Sequence, residues 1–260
     1  VAERRNWSQE EVRHALALYL VTDFGKIDNK NPDIIKLANA LGRSKNAVAL
    51  KLANLAALDA SIPQSGMSNV SKTDRQVWDE FKNDPSAIIE AYEEQSLDKN
   101  HTIIKTDTDR FINETLGLAE TDTNFDPRRA RDKQVFSKQR VGQNFFRKAI
   151  LSAYERRCAL TGVEDIRLLN ASHIVAWKDD HVNRVNPSNG ICLNGLHDRA
   201  FDRHLITFDE DYRLKIRNDV PQIARRQLER VESSRLYMPK RFLPDQAFLE
   251  QHRRIFYEEG

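Results

Sequence analysis

The segment 158–209 constrains the fold more than any other part of this chain. An apolar–polar run over 168–175 reads as a strand and carries His173. A long polar loop, 176–188, follows it. The pair Asn189–Gly190 precedes a second strand that starts at 191–193, and a helix beginning at Asn194 or Gly195 runs to about Arg203 with His197 near its start. A strand–loop–strand–helix unit of this size needs large side chains to bury area, and Trp177, Phe201 and Phe208 read as that core.

The rest of the 260-residue chain is long enough for a second unit with its own core. Charged residues make up 31% and no apolar run approaches the roughly 20 residues of a membrane helix. The N-terminal stretch is polar and has no secretory apolar region, so a cytoplasmic location without membrane contact is expected. Two cysteines, Cys158 and Cys192, cannot make a disulfide framework or, without two more ligands, a structural zinc site. They read as two small buried apolar residues.

Net charge is only +2, but its distribution is uneven. The stretch 74–126 is acid-rich, whereas 128–157 is basic and includes Arg128, Arg129, Arg140 and Arg147. Two readings fit: contact with a phosphate backbone, or a solvated helix face paired with the acidic stretch.

The first sixty residues have the punctuation of three helices. Ser8 and Glu11 form a capping-box pattern that opens an amphipathic run through Val12, Leu16, Tyr19 and Leu20. Asn31–Pro32 reads as an N-cap with proline at the first helical position. Gly42 breaks the second helix, and Ser44 caps a third with Val48, Leu52 and Leu55 inward. Helix, glycine turn and capped helix is the grammar of a helix-turn-helix. Arg43, Lys45, Asn46, Lys51 and Asn54 are then expected to face outward, with types that reach phosphates and base edges. A plain packing or dimerisation role fits the same pattern. Farther on, 61–69 reads as a loop, 73–94 as a helix, 96–126 as a linker and 143–156 as a helix. The tail, 221–257, holds two or three helical pieces, with Phe248, Leu249 and Ile255 as core contacts. The expected organisation is a helix-turn-helix-like unit (1–60), a helical region and linker (61–126) and a C-terminal unit (127–260), in an α+β, mostly helical fold.

Three short boxes carry a family resemblance. They are His173-Ile174-Val175-Ala176-Trp177, then Asn189-Gly190-Ile191-Cys192-Leu193, then Leu196-His197-Asp198-Arg199-Ala200-Phe201-Asp202. In this order they resemble the HNH (ββα-metal) endonucleases, in the branch found in bacterial restriction enzymes. The resemblance implies that His173 is the general base, that Asn189 pins the loop that aims it, and that His197 holds a divalent cation, Mg²⁺ or Mn²⁺. Where many relatives carry an acidic or histidine metal ligand before the base, this chain has Ser172, a poor ligand for a hard cation. Asp202 is the candidate for the missing ligand. As a capping carboxylate or a partner of Arg203 it would have no such role. Arg199 could clamp a phosphate, although an exposed arginine is the default. The implied function is metal-dependent cleavage of double-stranded DNA by a homodimer in restriction or phage defence, modification-dependent restriction included. The alternative is a DNA-binding regulator with a degenerate nuclease fold.

Overall fold

The computed structural model describes residues 5–59, 62, 69–96 and 127–258, with backbone only over 127–139. The N-terminal signals act as read. Ser8 and Glu11 close a capping box at the start of α1 (Gln9–Val21). The Asn31 side chain caps α2 (Pro32–Ala40). Gly42 turns the chain at φ +61°, and the Ser44 hydroxyl caps α3 (Lys45–Ala56). α1 is buried over Val12 and every residue from Ala15 to Leu20, because α3, α4 (Lys72–Asn83), α5 (Ser86–Ser96) and α6 (Pro127–Ala153) surround it.

α3 does not present the outward face expected of it. Lys51 is buried, and its ammonium donates to Asp74 of α4 at 2.7 Å. Asn54 is buried as well. Arg43 makes a two-pronged ion pair with Glu11 (2.9 and 2.7 Å) and lies over the Trp7 ring. The causes differ: α4 covers the flank of α3 that carries Lys51, whereas Arg43 is taken up within the three-helix unit by Glu11 of α1 and Trp7. Lys45 and Asn46 remain exposed, and Asn46 accepts a hydrogen bond from Asn29.

The expected helix 73–94 is two helices, α4 and α5, with Asp84 and Pro85 between them. The expected helix at 143–156 begins sixteen residues earlier, at Pro127, and stops at Ala153, where Glu155 and Arg156 take positive φ. The loop at 61–69 and the linker at 96–126 fall almost wholly outside the described residues.

The C-terminal unit is built on β1 (Leu169–His173) and β2 (Gly190–Asn194), antiparallel from Leu169↔Asn194 to His173↔Gly190, followed directly by α7 (Gly195–Asp202). A second hairpin, β3 (Ile206–Phe208) with β4 (Leu214–Ile216), then α8 (Gln222–Leu228) and α9 (Gln246–Glu258) complete it. Phe248 and Leu249 of α9 are core residues, but Ile255 is 38% exposed and looks into a cleft.

One hydrophobic core runs from Val12 to Leu249. Its junction is the buried Arg241, whose guanidinium donates to the carbonyls of Tyr19 (2.7 Å), Leu20 (3.2 Å) and Thr22 and to the Ser152 hydroxyl (2.8 Å). The first three acceptors are carbonyls at the end of α1, where the helix runs out of N–H donors; that of Tyr19 also takes the Thr22 N–H. Beside it, Phe242 stacks on Trp78 and meets the edge of Tyr19.

His252 of α9 is buried against Phe201, ring on ring at 3.9 Å. Its Nε2–H donates to the Phe201 carbonyl, so Nδ1 accepts from the Thr207 hydroxyl. This satisfies only the neutral imidazole, and burial pushes the pKa down to about 3. The folded value lies below the usual 6.5 of an unfolded histidine. The stabilisation is therefore complete above pH 6.5 and is lost progressively as pH falls towards 3. Urea midpoints measured between pH 7 and 4 should decline less steeply for His252→Gln than for the wild type. Parallel declines would refute this.

Candidate active site

β1, α7 and the loop between the first two strands converge on an open cleft of about 710 Å³. Phe146 and Arg147 of α6 form one wall, Gln251 and Ile255 of α9 another, and Ser172, His173, Asp198 and Asp202 lie between them.

His173 ends β1, opposite Gly190. Its imidazole stacks on Phe146 at 3.8 Å and meets the edge of Trp177. A side chain at Gly190 would collide with Phe146 and Ile150, its Cβ coming within 2.6 Å of both. The glycine of the Asn189–Gly190 box thus admits α6 directly behind the histidine. Nε2 lies 2.8 Å from the Arg184 carbonyl, which can only accept, so the proton sits on Nε2. Nδ1 has no hydrogen-bond partner among the described residues. Burial lowers the pKa, and the bond to Arg184 and the charge of Asp198 offset part of the shift.

Asn189 is fully buried and holds the loop from inside. Its Oδ1 accepts from the Val175 N–H at 2.8 Å, and its Nδ2 donates to the carbonyls of Val175 (3.1 Å) and Asn183 (3.2 Å). Arg184 supplies a second latch that the sequence reading lacks. Its Nε donates to the Trp177 carbonyl at 2.7 Å while its guanidinium lies over the Trp177 ring. The side chain of Arg184 therefore fixes the carbonyl that sets the His173 tautomer. With His173 read as the general base, as the resemblance implies, Arg184→Ala should lower kcat about 10- to 100-fold with little change in KM, because such a base would be misaimed rather than removed. Single-substrate kinetics measure this, and a loss confined to KM would contradict it.

His197 is not where the resemblance puts it. The ring is buried at 1% exposure, Nε2–H donates to the Leu228 carbonyl at 3.0 Å, and Nδ1 faces Asn194 Oδ1 at 3.1 Å. Neither nitrogen is open to a cation. The physical cause is the cap: Asn194 accepts the N–H groups of Leu196 and His197 and sets the rotation of α7 so that position 197 turns to the core. The next residue, Asp198, turns to the cleft instead. Its oxygens accept from Ser172 Oγ (2.5 Å) and Asn170 Nδ2 (2.6 Å). Asp202, four residues on, shares that face. Desolvation in the cleft and the nearby Asp198 push its carboxyl up to about 6, against the pull of Arg199 and Arg203. Two carboxylates on one face of a helix, with oxygen donors only, suit a hard divalent cation. Among the described residues no three His, Cys, Asp or Glu side chains group closely enough to enclose one. Water and substrate oxygens would have to complete its shell. Asp198 was legible as the carboxylate four residues before Asp202.

Of the basic residues expected to meet nucleic acid, Arg147 lines the cleft, but its guanidinium is engaged by the carbonyls of Leu169 (2.7 Å) and Ile166 (3.0 Å). Arg140 is exposed on α6. The side chains of Arg128 and Arg129 lie outside the described residues. Arg43 and Lys51 are committed to the internal ion pairs described above. Cys158 and Cys192 are both buried, and burial pushes the Cys192 thiol up to about 12.

No helix among the described residues is long and apolar enough to cross a membrane. Compared with known proteins, residues 158–209 match the family model described as HNH endonuclease. No curated protein matches the chain.

Proposed function

The chain carries an HNH endonuclease domain at residues 158–209, and from that premise we propose that it hydrolyses DNA phosphodiester bonds with a divalent cation, Mg²⁺ or Mn²⁺, as a restriction or phage-defence enzyme. The observation that carries the reading is the fixed tautomer of His173, with Nε2–H held by the Arg184 carbonyl and Nδ1 left as an acceptor. Such a nitrogen takes a proton from a water molecule at neutral pH, and the resulting hydroxide attacks the phosphorus. Asn189 and Arg184 hold the loop so that the base keeps its aim. Asp198 and Asp202 would hold the cation, with Ser172 and Asn170 orienting Asp198. When bound, it would supply Lewis-acid stabilisation of the charge on the phosphoryl oxygens and the departing 3′ oxygen. Each site cuts one strand, so a homodimer supplies the second cut. Lys45, Asn46 and Arg140 are the exposed candidates for further DNA contact.

The test is cleavage of paired plasmids, unmodified and cytosine-modified, with Mg²⁺ or Mn²⁺ and with chelator. Cation-dependent cutting supports the reading, and a preference between the plasmids tells whether base modification is read. Intact DNA in every arm ends it.

A second reading, a DNA-binding regulator with a degenerate nuclease site, is favoured by one observation: His197 is turned to the core and Ser172 stands where a ligand is expected. Tight binding in a gel shift beside a blank nicking assay would select it.

A further inference from the structure

The floor of the cleft carries Asp198 and Asp202, and Asp179 also lines it. Carboxylates repel a phosphodiester, so the strand must be held by cations at the rim. Arg147 and Arg184 line or approach the site, but their N–H groups are directed at main-chain carbonyls. Arg199 and Arg203 are different. Both line the cleft and are exposed, and neither has a hydrogen bond or ion pair with any described residue.

We propose that Arg199 and Arg203 are the phosphate-binding pair of this site, each taking a backbone phosphate beside the scissile one on the strand being cut. The inference rests on the nuclease reading above. Arg199 lies on α7 and Arg203, four positions on, is the residue that caps its C-terminus, so their Cβ atoms stand about 5–6 Å from one another. That spacing suits neighbouring phosphates of one strand rather than phosphates across a groove. Each guanidinium can fork onto two phosphate oxygens, and although both attract the Asp202 carboxylate from a distance, neither has a contact ion pair to break on binding. Asp198 and Asp202 alternate with them along α7. One short helix thus supplies the groups for the scissile phosphate and the groups that hold its neighbours.

The ordinary alternative is a pair of solvated arginines that offset two carboxylates and the negative end of α7. Salt dependence separates the two. Duplex binding would be measured against NaCl concentration in the full chain carrying His173→Ala, so that DNA stays intact. Adding Arg199→Ala or Arg203→Ala should each reduce the slope of log affinity against log salt by about 0.9, and the double change by about twice that. In the chain with His173 intact, the same changes should raise KM and leave kcat nearly unaltered. Arg226→Ala, exposed on α8 and not part of the cleft lining, should keep the parental slope. Slopes unchanged by both cleft substitutions, in a chain that still cuts DNA, overturn the pair while sparing the nuclease reading. A wild-type chain that neither binds nor cuts DNA overturns both.

Discussion

His173→Ala lowers the single-turnover rate of DNA cleavage by about 10²- to 10⁴-fold, the usual contribution of a positioned general base. Duplex affinity should stay within a few-fold of wild type, because a general base would act on water and not on the phosphate backbone. Added imidazole should restore part of the rate if the lost group is a base and not a packing element. The pH profile gives an independent check. A base works when neutral, so the rate falls as pH drops through its pKa. Burial against Phe146 and Trp177 lowers that pKa from its ordinary value. The acid limb of the wild-type profile should therefore lie below pH 6.5, and the alanine variant should lack it. A rate loss under tenfold, or the same limb in both proteins, would remove His173 from the role of base.

The largest structural effect is expected at Arg241. Arg241→Met keeps much of the side-chain volume but strands the carbonyls of Leu20 and Thr22 and the Ser152 hydroxyl, and leaves the Tyr19 carbonyl with the Thr22 N–H alone. Buried acceptors that lose a charged donor cost about 1–3 kcal/mol each, partly relieved by relaxation. We expect a loss of about 3–5 kcal/mol in urea unfolding, comparable with breaking a buried ion pair. Because Arg241 ties α1 to the C-terminal unit, the transition should also broaden or split. A loss below about 1 kcal/mol with a single sharp transition would show that the aromatic contacts of Phe242, and not the guanidinium, join the two parts.

Local signals in the sequence were reliable where the physics is local. Ser8 with Glu11, Asn31 before Pro32, and Ser44 each satisfy N–H groups within a few residues of themselves, and each does so in the fold. Asn189 was assigned to the loop by the family resemblance and not by local physics, and its buried amide does hydrogen-bond across the loop it closes. Lys51 shows the limit. Its outward assignment followed from the spacing of Val48, Leu52 and Leu55, which defines a face but not how wide that face becomes once α4 and Asp74 arrive from twenty-three residues away. His197 shows another limit. Neighbouring helical positions differ by about 100°, so a motif fixes which residues share a helix but not which of two neighbours turns to the cleft. Here Asn194 and the Leu228 carbonyl decide in favour of Asp198. The first two strands were readable as strands, and their arrangement in one unit came with the family resemblance, whereas the short hairpin β3–β4 offered too few residues to register a period.

The walls of the cleft come from opposite ends of the C-terminal unit in chain order: Phe146 and Arg147 precede the first strand, and Gln251, His252 and Ile255 follow everything else. A growing chain leaves the ribosome N-terminus first. The base, its latches and the acidic helix are therefore synthesised well before α9. Until that helix docks, Phe201 lacks the ring of His252 that stacks on it, and the side of the cleft beyond His204 stays open to water. Docking of α9 thus completes the wall of the cleft that faces α6, after the strands and the acidic helix between those walls are already in the chain.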